Sequence, residues 1–310
     1  MPGIGIGVGL PVLHETDARG SADIVALARH AEEVGIDSVA AADVLIGDGT
    51  FALEPVTVLA TAAAVTERIR LEFGVLSLPT RPVAMVAAQV QSLQHLSGNR
   101  VRLGVGIGGF PGSSFWQAVG ARSKARGRLV DEALRVLPGL IAGEPTELPA
   151  PPGQRERPVV TLAPAAPVPP ILIGGGVAEA VLRRTAAYGD GWLPSAMTPS
   201  EVSSAVVRLR ELAAERGRPT PGVYLGVHAV LGGGAGTRSA REAMVRQLGD
   251  FFGMPPEKIA QVTVTGGPDQ IAERIAAFAA AGVTELGFAL DGPDQLHQLD
   301  LLAEARALLE

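Results

Sequence analysis

The stretch that decides the fold is PILIGGGVAEAVLRRTAAYGDGWLP, residues 170–194. Pro170–Ile173 is a short apolar run, Ala178–Tyr188 reads as a helix, and Gly191–Pro194 is a second short run. The runs are apolar throughout, which suits strands buried on both faces. Strand, helix and strand in this order form a βαβ unit, with parallel strands and a right-handed crossover. Each run is weak on its own; repetition of the unit along the chain gives it force.

Working outward, the same alternation continues in both directions. Further strand runs are Ile4–Leu10, Asp37–Ala42, Arg70–Ser77, Val101–Ile107, Val223–Val230 and Glu285–Leu290. Helices are predicted over Ser21–Gly35, Glu54–Glu67, from Pro82, over Lys124–Ala142, Pro199–Arg216, Asp269–Ala281 and Pro293–Leu309. The first is the clearest. Ser21 can cap it, Asp23 sits in its positive first turn, and Ile24, Leu27, Ala28, Ala31 and Val34 form one apolar stripe ending at Gly35. Eight strand-plus-helix repeats are the count of a closed (β/α)8 TIM barrel. A doubly wound open sheet needs no such number, and no linker divides the chain, so residues 1–310 are expected to form a single domain. Two stretches break the rhythm. Residues 143–170 carry Pro145, Pro149, Pro151, Pro152, Pro158, Pro164, Pro167, Pro169 and Pro170, which makes this insertion after the fourth helix a surface loop or small hairpin. After the seventh strand comes a Gly-rich loop, Gly232-Gly233-Gly234-Ala235-Gly236, either a mobile lid or a passive linker.

Composition narrows the function. The 310 residues carry 26 basic and 32 acidic side chains, a net charge of −6, which argues against nucleic-acid binding. With no cysteine there is no disulfide, thiolate nucleophile, Cys-ligated zinc or iron–sulfur cluster. Apolar stretches such as Pro55–Val65 and Val83–Val90 are about half the roughly 18 residues a membrane span needs. Met1-Pro2-Gly3 lacks the charged start of a secretory signal, so a soluble, cytoplasmic protein is expected. Only Lys124 and Lys258 are lysines among the 26 basic residues, a bias of GC-rich coding.

Gly174-Gly175-Gly176, between a strand and a helix N-terminus, reads as a phosphate cradle; the alternative is a tight turn needing positive φ. Gly3, Gly5, Gly7 and Gly9 leave one face of the first strand bare, for a ligand or for close packing. Gly104-Val105-Gly106-Ile107-Gly108-Gly109 is followed by Phe110-Pro111-Gly112 rather than a helix, which argues against a dinucleotide fingerprint. Asp43, Asp190 and Asp291 sit at element ends as caps or functional carboxylates. His30 and His95 lie on helices in structural roles and His297 is exposed. His14 and His228, near strand ends, are the catalytic candidates as acid–base or substrate-orienting groups. No cluster has metal-ligand spacing.

The segment Gln89-x3-Leu93-x2-Leu96-Ser97-Gly98-x-Arg100-Val101-x-Leu103-Gly104-Val105-Gly106 resembles the third-helix to fourth-strand signature of the bacterial luciferase-like monooxygenases. Gly35-x-Asp37-Ser38-Val39-x3-Asp43, Ile171-Leu172-Ile173-Gly174-Gly175-Gly176 and Tyr188-Gly189-Asp190-Gly191-Trp192 resemble its other motifs. Thr265-Gly266 with Gln270-Ile271-Ala272-Glu273-Arg274 and Ala281-Gly282-Val283 resembles its C-terminal segment. The resemblance implies a (β/α)8 barrel, a flavin-type cofactor (coenzyme F420 or FMN) and commonly a homodimer. It also implies a non-proline cis peptide at Gly74-Val75 in a bulge supporting the cofactor ring, with Ser77 nearby. Gly174, Gly175, Gly176 and Val177 would hold the phosphate, Ser195 the tail, and Asp43 would lie near the ring. Val44 and Gly109 stand where the family's sugar-phosphate dehydrogenases carry His and an acid, which argues against that substrate class. Thr198 stands where a basic tail-binding residue is expected. GC-rich genomes often use the deazaflavin, so the expected activity is F420-dependent hydride transfer to a small apolar substrate. Phe110, Phe115, Trp116 and Leu76 would line the mouth. The alternatives are an FMN-dependent monooxygenase and a relative that has lost catalysis. A Schiff-base aldolase is disfavoured, since no lysine ends a strand.

Overall fold

The structure is a computed structural model describing residues 3–12, 24–150 and 155–309. The strands in chain order are β1 (Gly5–Gly9), β2 (Ser38–Ala41), β3 (Arg70–Phe73) and its short continuation β4 (Leu76–Ser77), and β5 (Val101–Gly106). After a small antiparallel hairpin of β6 (Thr146–Glu147) and β7 (Val159–Val160) come β8 (Ile171–Gly174), β9 (Gly191–Leu193), β10 (Gly222–Leu231), β11 (Thr263–Gly266) and β12 (Glu285–Leu290). Among the described residues, β1, β2, β3, β5, β8, β9, β10 and β12 pair in parallel in that order, and β12 returns to β1. The barrel is closed, with the eight strands read from the sequence.

Helices follow the strands: α1 (Ile24–Glu33), α2 (Pro55–Val65), α3 (Val83–Ser97), α4 (Ser114–Ala118), α5 (Arg126–Ile141), α6 (Glu179–Tyr188) and α7 (Pro199–Ala214). Then come α8 (Ala235–Phe252), α9 (Pro256–Val262), α10 (Pro268–Ala280) and α11 (Gln295–Ala307). The main core lies between strands and helices, where Leu59, Leu71, Leu93, Leu137 and Phe278 are buried. Each such side chain contributes about 1.5–3 kcal/mol by leaving water.

The luciferase-like signature at the end of α3 is a structural seam. Gly98 closes the helix in the left-handed region, φ 65°. The buried Arg100 guanidinium donates to the carbonyls of Ala63, Thr66, Ile69 and Ser97 and to the Thr66 hydroxyl. It thereby satisfies carbonyls that the end of α2 leaves without partners. Asp190 accepts from the Ile171 amide, and Trp192 Nε1 donates to Gly175 O at 2.8 Å. His30 pairs with Asp300 and His95 with the Ala165 carbonyl, so both histidines are structural.

The region after β10 departs from expectation. The glycines are not followed by a long loop. Gly232 and Gly234, at φ 88° and 103°, turn the chain directly into the 18-residue α8. Helix α9 and strand β11 then intervene before α10, and β11 pairs with the end of β10 from His228 to Leu231. The glycines read as a break. The helical signal behind them is thin: Met244 and Leu248 with Ile259 form a satellite core on Val230. Ser21 and Asp23, the expected cap and first-turn acid of α1, lie outside the described residues.

Candidate active site

Barrels of this kind ordinarily fill their interior with layers of bulky side chains. Here the inward positions in the C-terminal half are Gly9, Ala40, Ala42, Gly74, Gly226, Gly287 and Ala289. These residues leave a cavity of about 870 Å³, running from the C-terminal mouth into the barrel. The first-strand glycines therefore split. Gly5 and Gly7 are closely packed: a Cβ on Gly5 would come within 2.9 Å of Glu285, and one on Gly7 within 2.2 Å of Ser38 Oγ. Gly9 has room for a Cβ, whose nearest neighbour would be 3.7 Å away, and lines the cavity.

The Gly74-Val75 peptide bond is cis, between β3 and β4. The Val75 side chain fits because its neighbours are glycines. A Cβ on Gly106 would lie 2.8 Å from it, and one on Gly174 2.7 Å. Asp43 buttresses this bulge. Its carboxylate accepts from the Ser77 amide at 2.9 Å and pairs with Arg81, which also reaches Glu54 at 3.3 Å. The Asp43 side chain is 3% exposed, so its partners are protein groups.

Gly174 thus serves packing. Gly175, at φ 135°, is the tight turn, and its carbonyl takes the Trp192 indole N–H. Gly176 is open on all sides and Val177 is exposed, just before α6. Glu179 in the first turn of α6 is paired with Arg183 and Arg208, and the Arg208 hydrogen bond leads the lowering of its pKa. An anion at Gly176–Val177 would meet a helix N-terminus whose one acidic side chain is already neutralised, so the cradle suits a phosphate. Ser195 lines the cavity beside Gly226, where β9 and β10 close the barrel. Thr198 caps α7 in a capping box with Glu201, which is why no cation is there; Lys258 reaches Glu201 at 2.6 Å.

Across the cavity, His228 Nδ1 donates to Asp291 Oδ2 at 2.8 Å, joining the ends of β10 and β12. Both side chains are about a third exposed, 35% and 27%. The sequence singles out each residue, and closure of the barrel makes them a pair. With Nδ1–H engaged, Nε2 is the ring nitrogen left to exchange a proton. His14 lies outside the described residues. The expected apolar lining is replaced. Leu76 and Trp116 are buried in the protein, Phe110 meets the Phe251 ring at a tilt with centroids 6.0 Å apart, and Phe115 sits against Gly47. Leu10, Val12, Met244, Leu290 and Leu296 line the cavity instead. The reason is α8, whose Met244 face forms a wall that the expected loop would not supply.

Beneath the small residues lies a charged layer that sequence reading missed. Arg102 donates from both terminal nitrogens to Glu285, its Nε lies 3.1 Å from Glu72 Oε2, and its guanidinium sits 4.9 Å over the Tyr224 ring. Ser38 Oγ donates to Glu285 Oε1 at 2.6 Å. Burial pushes the Glu72 carboxyl up to about 7; Arg102 opposes this and Glu285 adds to it. The available signal was a charged residue within or at the start of three otherwise apolar strands: Glu72 in Leu71-Glu72-Phe73, Arg102 in Val101-Arg102-Leu103 and Glu285 opening Glu285-Leu286-Gly287-Phe288.

A closed parallel barrel with a cis-peptide bulge after its third strand and an open glycine cradle after its fifth is the class of protein that the fold and site define. The family model for luciferase-like monooxygenases matches residues 7–252, and the chain belongs to that family. An uncharacterized protein of Mycobacterium tuberculosis is 38% identical over 174 residues, 56% of this chain and 59% of that protein. The chain thus spans under two thirds of the length of the curated relatives it matches. An F420-dependent secondary alcohol dehydrogenase, solved with an F420-acetone adduct, superposes with a TM-score of 0.83 at 17% identity, covering 99% of both chains. The oxygenating constituent of 3,6-diketocamphane monooxygenase of Pseudomonas putida, solved with FMN, gives 0.77 at 18% identity, covering 99% of this chain and 96% of that one. At such identities the likeness is one of fold. Among the described residues no helix is long and apolar enough to cross a membrane, and no cluster has the makings of a metal site.

Proposed function

We propose that the protein is an F420-dependent oxidoreductase that catalyses hydride transfer between the deazaflavin and a small, largely apolar organic substrate. The observation carrying this reading is the His228–Asp291 pair, set in the same cavity as Gly74 and Ser195. When bound, the deazaflavin supplies two-electron hydride chemistry at carbon. Such chemistry on a carbon–oxygen or polarised carbon–carbon bond needs a proton moved as well, and His228 Nε2 would move it. Asp291 accepts from Nδ1–H and so would hold the imidazole in one tautomer. The bulge at Gly74, Val75 and Ser77, buttressed by Asp43, would seat the ring, Gly176 and Val177 the phosphate, and Ser195 the tail. Gly174 and Gly175 shape the backbone there. Helix α8 and the apolar side chains of the mouth would exclude water. The active form would be a homodimer, as is common in the family.

Paired calorimetric titrations with F420 and FMN test this reading. Tight binding of F420 alone is expected. Binding of FMN alone would move the protein to the oxygenating members of its family, and binding of neither by folded protein would overturn the cofactor assignment. Loss of the imidazole in His228→Ala should lower kcat by about 10²–10⁴ while leaving F420 affinity unchanged. An unchanged kcat would remove His228 from the chemistry.

A further inference from the structure

The cavity continues below the mouth. It runs between Gly9, Ala40, Gly226 and Gly287 down to Glu72, Tyr224 and Glu285. On β10, His228 and Tyr224 are four positions apart, about 13 Å of strand. The well has small or apolar walls and an acidic floor. On that floor one guanidinium, Arg102, faces two carboxyls. Glu285 is well satisfied, by both terminal nitrogens of Arg102 and by the Ser38 hydroxyl. Glu72 is not. It is 8% exposed, its Oε2 accepts no hydrogen bond, and the nearby Arg102 Nε makes only an ion-pair contact with it. With both carboxyls ionised the layer therefore lacks one positive charge, and Glu72 Oε2 and Arg102 Nε face each other without a hydrogen bond.

We propose that this floor is a binding subsite for the cationic end of an elongated substrate, a primary or secondary ammonium on an apolar body. An ammonium supplies the charge the layer lacks and brings N–H donors to Glu72. A carboxylate end would meet like charge, and a hydroxyl would give a donor without the charge. The hollow upper layers admit the apolar body, so the molecule would extend from the His228–Asp291 pair to Glu72. Without a ligand, Glu72 keeps a proton up to about pH 7, held by burial and by Glu285 against the pull of Arg102; in the same layer Tyr224 lies under Arg102 and Ser38 donates to Glu285. A bound cation takes the place of that proton. The subsite goes beyond the proposed activity and does not depend on which cofactor binds, because binding is read without turnover.

The test is calorimetric titration of the intact protein with hexylammonium, hexan-1-ol and hexanoate. At about pH 8.5, hexylammonium is expected to bind at least about tenfold tighter than the other two, with affinity falling as pH drops below about 7. Near pH 7, buffers of different ionisation enthalpy should register about half a proton released per ligand bound, rising toward one at lower pH. Glu72→Gln should lose about tenfold for hexylammonium and leave hexan-1-ol unchanged. Should that variant fail to fold, Gly287→Leu fills the well above the floor, where an added Cβ meets nothing closer than 4.0 Å, and should abolish hexylammonium binding. Equal binding of alcohol and ammonium, preference for hexanoate, binding of none of the three, or indifference to Gly287→Leu would overturn the proposal.

Discussion

Val75 keeps its position because Gly106 and Gly174 have no side chains. A methyl group at Gly174 must displace Val75, so Gly174→Ala should cost about 1–3 kcal/mol in chemical denaturation. Adding Val75→Ala should recover part of that loss, and strictly additive costs would show that the two residues do not meet. Glu72 predicts a pH effect of the less common sign. Its folded pKa, about 7, lies above its ordinary value of 4.5, so the folded state binds the extra proton. That contribution is complete below about pH 4.5 and is lost as pH rises through about 7. The unfolding free energy of wild type, from denaturant titrations, should fall over this window relative to Glu72→Gln, by about 1–3 kcal/mol in all. Parallel profiles would show that Glu72 titrates normally. These residues differ in how far the sequence reveals them. The glycines announce themselves as glycines. The Glu72–Arg102–Glu285 layer does not, because Arg102 and Glu285 are 183 positions apart and meet only when the barrel closes.

At the level of elements, α1 is tied to the strand beside it through Glu32. Its carboxylate accepts from the amides of Glu67, Arg68 and Ile69 at the start of β3. Burial raises the Glu32 pKa, but those three amides outweigh it and the net shift is downward. Stability from this group is present above the ordinary carboxylate pKa and is lost as pH falls through the lowered one. Glu32→Gln should therefore flatten the acid limb of the stability profile, and an unchanged limb would show the contact to be idle. Arg100 is the heavier tie. Arg100→Ala strands the carbonyls at the end of α2 and should cost about 3 kcal/mol or more in a denaturant titration. The alternation of strands and helices was legible because each barrel strand is an apolar run and each helix has a face. α8 was not, since its apolar residues serve a small satellite core and the cavity wall rather than the main core. The pairing of His228 with Asp291 was half legible: both lie near strand ends, but their adjacency follows from β10 pairing with β12.

Across the whole molecule, the family motifs serve mainly to build the scaffold. Arg100, Gly98, Asp190 and Trp192 hold helices and strand ends, while the groups with chemical potential stand at positions those motifs leave free. The barrel is closed through β9 and β10 by pairs at Gly191–Gly222 and Trp192–Val223 and a bridge from Ser195 to Gly226. The hollow interior has a thermodynamic price. Glycine within a strand gives up more backbone freedom on folding than alanine, roughly 0.5–1 kcal/mol each. Gly9 and Gly287 have negative φ and room for a methyl group, the nearest atoms lying 3.7 and 4.0 Å from an added Cβ. Nothing in the packing requires them to be glycine. Replacing both by alanine should raise the melting temperature by a few degrees, by reducing the freedom of the unfolded chain. It should also narrow the well by two methyl groups. Heat resistance and substrate capacity are set against each other in this barrel, and a homologue from a hotter habitat that kept both glycines would be keeping them for its ligand.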